Sequence, residues 1–335
     1  MPFPSVDIIV PVWNNPFEAR SCLSAILTHS PEARLIIIDN GSDRQTQLVL
    51  EEFSEPLGER CLFLYSEKNI GLVRAINRGL ERSDSDFAVI VRPHVSVTRG
   101  WLERLLEAAE GGIASPLFSG EGAPFPSPFA RGCSLMETCA ISFSTLAIKK
   151  EAHLLLGGFN ERLDGAEWCL KDYVSRANDK GFQICITSGS TVVCGTETIL
   201  GSDARRRELF LASQALYAEQ WDIGRHYGVY FGRGVQADGL ADSVETILRG
   251  ARRGHRFTLL LHNVQAAVFR RMGWNGLHTS IELVVLSRFM PRRDLQRICA
   301  SYPAMITVQG CDGAEFSVST PAIPFSTFAC EIGPP

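Results

Sequence analysis

The chain has 335 residues, 45% of them hydrophobic and 21% charged, a globular composition with room for one large domain and a smaller one. A formal net charge of −4 gives no general electrostatic case for nucleic acid, and no stretch approaches the ~20 apolar residues of a membrane helix. Met1-Pro-Phe-Pro-Ser5 has neither the basic nor the apolar segment of a signal peptide. The ten cysteines form no CxxC pair and show no zinc spacing, so they read as small buried apolar groups in a reducing compartment. A cytoplasmic protein is expected. Charge is uneven, with 18 basic and 25 acidic residues over 1–200 against 15 and 12 over 201–335, and no lysine follows Lys180.

In chain order, Val6 to Val10 reads as a buried strand stopped by Pro11. Asn15-Pro16 opens a helix, with Asn15 as N-cap and Pro16 at the first helical position. Ala19, Cys22, Leu23, Ile26 and Leu27 give that helix its core-facing stripe. Leu35 to Ile38 is a second buried strand, ending in Asp39-Asn40-Gly41-Ser42-Asp43, where Ser42 or Asp43 can cap a helix near 44–53. Cys61 to Tyr65 is a third strand, and Leu72, Ala75, Ile76 and Leu80 mark the helix after it, which also carries Arg74 and Asn77. Phe87 to Val91 is a fourth, broken by Arg92-Pro93-His94. This alternation predicts right-handed parallel βαβ units. Four strand ends, at Pro11, Asp39, Ser66 and Arg92, then share the sheet edge where open α/β sheets bind ligands. Asp39 suits a helix-capping turn as well as a ligand, and its strand-end position favours the ligand.

Five stretches carry a resemblance: Ile8-Ile-Val-Pro11-Val-Trp-Asn14; Ile36-Ile-Ile-Asp39-Asn40-Gly41-Ser42; Asn69-Ile-Gly71-Leu-Val-Arg74-Ala-Ile-Asn77; Thr98-Arg-Gly100-Trp101-Leu102; and Gly157-Gly158-Phe159-Asn160-Glu161-Arg162. In order and spacing they resemble the inverting family-2 nucleotide-diphospho-sugar glycosyltransferases, over about residues 5–200. The resemblance implies a GT-A-like, Rossmann-like fold with a mainly parallel sheet. It also implies a nucleotide-sugar cleft at Pro11, Asn14, Asp39, Asn69, Arg74 and Asn77, with the first strand end and Asp39 on the base and ribose.

The departures concern charge. The resembling enzymes carry Asp-x-Asp or Asn-Pro-Asp before the position of Thr98, and the last acid holds a divalent metal on the diphosphate. Arg92 and His94 occupy those places here. A diphosphate leaving group builds up negative charge that Mg²⁺ or Mn²⁺ usually neutralises, and an arginine fork can do part of this directly. His94 retains the option of a softer metal, and simple decay of the loop is the competing reading. The resembling enzymes also place a Glu-Asp pair, source of the catalytic base, where this chain has Cys169-Leu170. Asp172 and Arg176 match the motif's later positions. Glu167 is therefore expected as base, ahead of Asp164, with Asp172 as support. Val192-Val193-Cys194 replaces a metal-binding histidine. No metal is expected.

Residues 113–135, rich in Pro, Gly and Ser, read as a loop over the cleft, and Ala140 to Ile148 as a strand. Beyond Gly224 strands and helices alternate again: Gly228–Phe231, Leu240–Gly250, Phe257–Leu261, Val264–Met272, Ile281–Leu286, Arg292–Ala300, Met305–Val308. This predicts a second, smaller α/β domain at 225–335, after a nucleotide-sugar domain at 1–224. His262-Asn263 reads as a helix cap. The expected function is transfer of a sugar from a UDP- or GDP-sugar to an acceptor hydroxyl that no residue identifies. The alternative is an inactive nucleotide-sugar-binding or scaffolding protein.

Overall fold

Strand β1 (Val6–Val12) is buried at every position, as a strand covered by helices on both faces must be. Its one charged residue, Asp7, is fully buried and carries a fork from Arg34 at 2.6 and 2.8 Å plus the Ser83 hydroxyl at 2.8 Å. The structure is a computed structural model, and it describes residues 4–129, 133–164, 166–197, 202–232, 240–310 and 322–333. The chain divides into two compact units: Met1–Leu135 with Ala140–Trp221, and Met136–Cys139 with Asp222–Pro335.

In the first unit β1 leads through α1 (Pro16–His29) to β2 (Arg34–Asn40), α2 (Arg44–Ser54), β3 (Cys61–Ser66), α3 (Leu72–Leu80) and β4 (Phe87–Val91). Neighbouring strands in the order β3-β2-β1-β4 are parallel, so the carboxyl ends of all four open on one edge. Asp43 caps α2, its Oδ1 accepting from Thr46 N at 2.8 Å. Asn15 precedes α1 as expected but in a left-handed conformation, and its side chain makes no capping bond.

The chain continues through β5 (Val95–Val97), α4 (Trp101–Ala109), β6 (Gly112–Ser119), a short β7 (Leu135–Glu137) that runs into the Met136–Cys139 segment of the second unit, β8 (Thr145–Lys149), α5 (Lys150–Leu156), α6 (Glu167–Asp179), β9 (Gln183–Cys194) and α7 (Asp203–Ala218). The sheet continues from β4 as β8-β6-β9-β5. Antiparallel β8 joins β4 to β6, and β6 runs parallel to β9. Two expectations are corrected here. The loop assigned from residue 113 is, up to Ser119, strand β6 inside the sheet; its Pro116 sits where the pairing with β9 shifts register, the kind of place where a strand tolerates a missing N–H. The strand expected at Ala140–Ile148 is the shorter Thr145–Lys149.

The second unit holds β10 (His226–Tyr230), α8 (Ala241–Arg252), β11 (Arg256–Leu261), α9 (Asn263–Arg271), β12 (Ile281–Val285), α10 (Pro291–Ser301), β13 (Ile306–Gln309), β14 (Ile323–Pro324) and α11 (Phe325–Ile332). Its sheet is parallel throughout, in the order β12-β11-β10-β13-β14. Tyr227, Phe231, Phe257, Phe269 and Phe328 fill one core face. Met136–Cys139 packs into this unit: Glu137 receives a fork from Arg252 at 2.6 and 2.8 Å, and Thr138 meets Thr279 at 2.8 Å. Among the described residues no helix is long and apolar enough to cross a membrane.

Candidate functional site

The carboxyl ends of β1, β2 and β4 enclose a cavity of about 410 Å³, lined by Pro11–Asn15, Glu18, Asn40, Asn69, Leu72, Arg92–His94 and Glu197. Each strand end is fixed by its neighbours. Asn14 and Asn15 both have φ of 56°, an uncommon left-handed conformation that asparagine tolerates better than most residues. Asn14 is locked there because its N–H donates to Ser42 Oγ at 3.0 Å and its Oδ1 accepts from Asp43 N at 2.8 Å. At the end of β2 the chain turns at Gly41, with φ of +75°. A Cβ there would fall 2.4 Å from the Lys68 carbonyl carbon, so only glycine lets the two loops touch. Asn40 exploits that contact: its Oδ1 accepts from Ile70 N at 2.9 Å and its Nδ2 donates to Asn69 Oδ1 at 3.1 Å.

Asp39 is fully buried. One carboxylate oxygen accepts from Ser42 N at 2.8 Å, and the other, Oδ2, has no partner. A buried carboxylate oxygen without a donor is costly.

At the end of β4 a tight turn runs from Arg92 to Val95, closed by Val95 N donating to Arg92 O at 2.9 Å. It places the Arg92 guanidinium against Glu197, with Nη1–Oε2 at 2.7 Å and Nη2–Oε1 at 2.5 Å. His94 is buried, its Nε2 3.1 Å from Ser144 Oγ. Burial, with the Arg92 charge next in weight, pushes its pKa down to about 4, so the ring is neutral at pH 7.

Of the residues expected from sequence, Pro11, Asn14, Asn69, Arg92 and His94 line the cavity, while Asp39, Arg74, Asn77, Glu167 and Asp172 do not. Arg74 Nε pairs with Glu161 at 3.0 Å. Asn77 is buried and staples the loop before α6: its Nδ2 donates to Phe159 O and Glu161 Oε1, both at 2.9 Å, and its Oδ1 accepts from Phe159 N at 2.8 Å. Glu167 opens α6, exposed and 2.5 Å from Lys171. Asp172 is buried between Arg176 Nε at 2.9 Å and Trp221 Nε1 at 3.1 Å. Asp164 accepts from Trp168 N at 2.8 Å, near the start of α6. Sequence reasoning passed over Glu18, Asn40 and Glu197. Asn40 lies within a turn motif already singled out, whereas nothing local marks Glu197, which meets Arg92 from 105 positions away.

Whether a divalent metal fits here is a question of donors. The Arg92 guanidinium stands at the end of β4, the Glu197 carboxylate is forked onto it, and the His94 ring faces a hydroxyl. Among the described residues no three His, Cys, Asp or Glu side chains converge. Two carboxylates line the cavity, Glu18 and Glu197, and a divalent cation takes oxygen donors of this kind.

Residues 7–118 match the family model described as glycosyl transferase family 2. Over 111 residues the chain is 27% identical to the glycosyltransferase AglE of Haloferax volcanii, a match over 32% of this chain and 36% of that protein. The chain thus spans about a third of that relative's length. The structure resembles a mannosyltransferase from Pyrobaculum calidifontis in complex with GDP-Man and Mn²⁺, with a TM-score of 0.51 and 17% identity over 65% of each chain. It also resembles GalNAc-T7 with UDP, GalNAc and Mn²⁺, with a TM-score of 0.53 and 14% identity over 65% of this chain and 49% of that one.

Proposed function

We propose, from the premise that residues 7–118 form a family-2 glycosyltransferase module on a GT-A fold, that the protein transfers a sugar from a UDP- or GDP-sugar to an acceptor hydroxyl. The observation that carries this is the cavity at the carboxyl ends of β1, β2 and β4, where an open α/β sheet binds its ligand. Pro11, Asn14 and Asn69 would form its wall against the nucleoside. Asp39 Oδ2 would accept from base or ribose. Arg74 and Asn77 would shape the loops around the donor sugar, Arg74 through its pair with Glu161 and Asn77 through the Phe159 backbone.

Arg92 takes the diphosphate in this reading. Its two terminal nitrogens present the fork that phosphate oxygens accept, and neutral His94 beside it adds no competing charge. The reaction is then metal-independent. Inversion requires a base to remove the acceptor proton as the diphosphate leaves. Asp172 is already held by Arg176 and Trp221, which suits support of α6, so the base is assigned to Glu167. Exchange of Lys171 for an acceptor hydroxyl would free that carboxylate.

One observation favours a second reading, binding without transfer: neither Glu167 nor Asp172 lines the cavity. Calorimetric titration with UDP and GDP, with divalent metal or with EDTA, and transfer and hydrolysis assays with the matching sugar nucleotides separate the two. The enzyme reading expects binding that EDTA leaves intact and measurable turnover. It also expects Glu167→Gln to lower that turnover by roughly 10²–10⁴ with unchanged nucleotide affinity. Binding without turnover for any donor establishes the second reading, and no binding of either nucleotide overturns both.

A further inference from the structure

Arg92 would contact phosphate only if its present partner let go. The guanidinium is mostly buried, its side chain 19% exposed, whereas the Glu197 side chain that holds it is 42% exposed. Both residues line the cavity. The arginine approaches from a rigid strand end. The glutamate follows β9 by three residues, and the last backbone tie before it is Gly195 N donating to His94 O at 2.8 Å. A mostly buried cation thus meets a half-exposed carboxylate two residues past that tie. Arg92 Nε is buried with no acceptor, so Glu197 satisfies the terminal nitrogens and leaves the third donor position vacant.

We propose that Glu197 is a displaceable counter-ion for Arg92: it holds the guanidinium in place while the cavity is empty and yields it to the diphosphate of an incoming nucleotide. The inference rests on the nucleotide-sugar reading above and adds a regulatory residue to that site. A diphosphate presents the same paired-oxygen geometry as the carboxylate, with more negative charge and enough oxygens to reach Nε as well. It therefore wins the guanidinium, but only after paying back the interaction with Glu197. A group without phosphate has nothing to offer in exchange. Glu197 accordingly sets a threshold that discriminates nucleoside diphosphates from nucleosides, and it leaves a freed carboxylate at the cavity mouth once the donor is seated.

The test is a double-mutant cycle on Arg92 and Glu197, read by calorimetry with inorganic pyrophosphate, UDP, GDP and the matching nucleosides. Glu197→Gln should tighten pyrophosphate and the preferred nucleoside diphosphate by roughly two- to fivefold, the scale of one partly exposed ion pair, and leave nucleoside affinity unchanged. Arg92→Ala should weaken the diphosphates and abolish the effect of Glu197→Gln. Thermal melts establish that each variant is folded, and Glu197→Ala replaces the glutamine variant if that one is not. Unchanged or weaker diphosphate binding by the folded Glu197 variant overturns the proposal, as does a gain that survives loss of Arg92. If pyrophosphate follows the predicted cycle while neither UDP nor GDP binds, the counter-ion stands and the nucleotide-sugar reading falls. If nothing binds wild type or variant, both fall.

Discussion

Asp39 carries a burden that folding alone does not explain. Its Oδ1 shapes the turn to Ser42, but its Oδ2 is buried with no donor, at a cost to stability. Asp39→Asn keeps an acceptor for Ser42 N and removes the charge. The variant should melt at the same or a higher temperature than wild type, yet bind UDP or GDP roughly ten- to a hundredfold more weakly, the worth of one charge-assisted hydrogen bond. Full affinity in the folded variant would remove Asp39 from the site. The strand end at Asp39 is legible in sequence because an apolar run gives way there to Asp-Asn-Gly-Ser, turn-forming residues. The partner of Arg92 is not legible. An ion pair across 105 positions depends on where β9 returns, and no local pattern encodes that.

Elements with one clear hydrophobic period were readable, and those without it were not. The runs in β1, β2 and β4 announce buried strands. β6 is masked by Pro116 and its small residues, and β5, only three residues long, is too short to show any period. The same limit bears on Asn77, whose motif position suggests a ligand contact while its bonds tie α3 to the backbone of Phe159. Gly158 lies tight against it, since a Cβ there would be 2.9 Å from Asn77 Oδ1. Asn77→Ala should strand buried polar groups and cost about 2–4 kcal/mol, lowering the melting temperature of the first unit by roughly 5–15 °C. Any loss of nucleotide affinity should be secondary to that. A variant of normal stability that no longer binds nucleotide would instead make Asn77 a direct ligand contact.

At the scale of the whole molecule, the renewed β–α alternation after Gly224 was enough to foresee a second parallel module. It gave no sign that Met136–Cys139, far earlier in the chain, completes that module. This segment lies against His278, which is 2% exposed. The imidazole Nδ1 accepts from Ser280 N at 3.0 Å, its Nε2 stands 3.7 Å from Cys139 Sγ, and Glu137 pairs with it across an isolated bridge. Burial pushes the His278 pKa down to about 4, with the Arg252 charge adding to the shift and Glu137 opposing it. The unfolded chain would titrate near 6.5. Between those values the unfolded state binds the extra proton, so this stabilisation is fully present above pH 6.5 and is lost as pH falls toward 4. From pH 7 to pH 5 the second unit should lose about 2 kcal/mol from this group alone. His255, also held below its ordinary value by burial, acts in the same direction. Hydrogen exchange of the β11 and β12 amides at each pH, corrected for intrinsic rates, reads the unit directly. Protection should fall by about 30-fold over that range in wild type, and clearly less in His278→Asn, which has no proton to gain. Equal pH slopes in the two proteins would show that His278 does not carry the acid sensitivity of this unit.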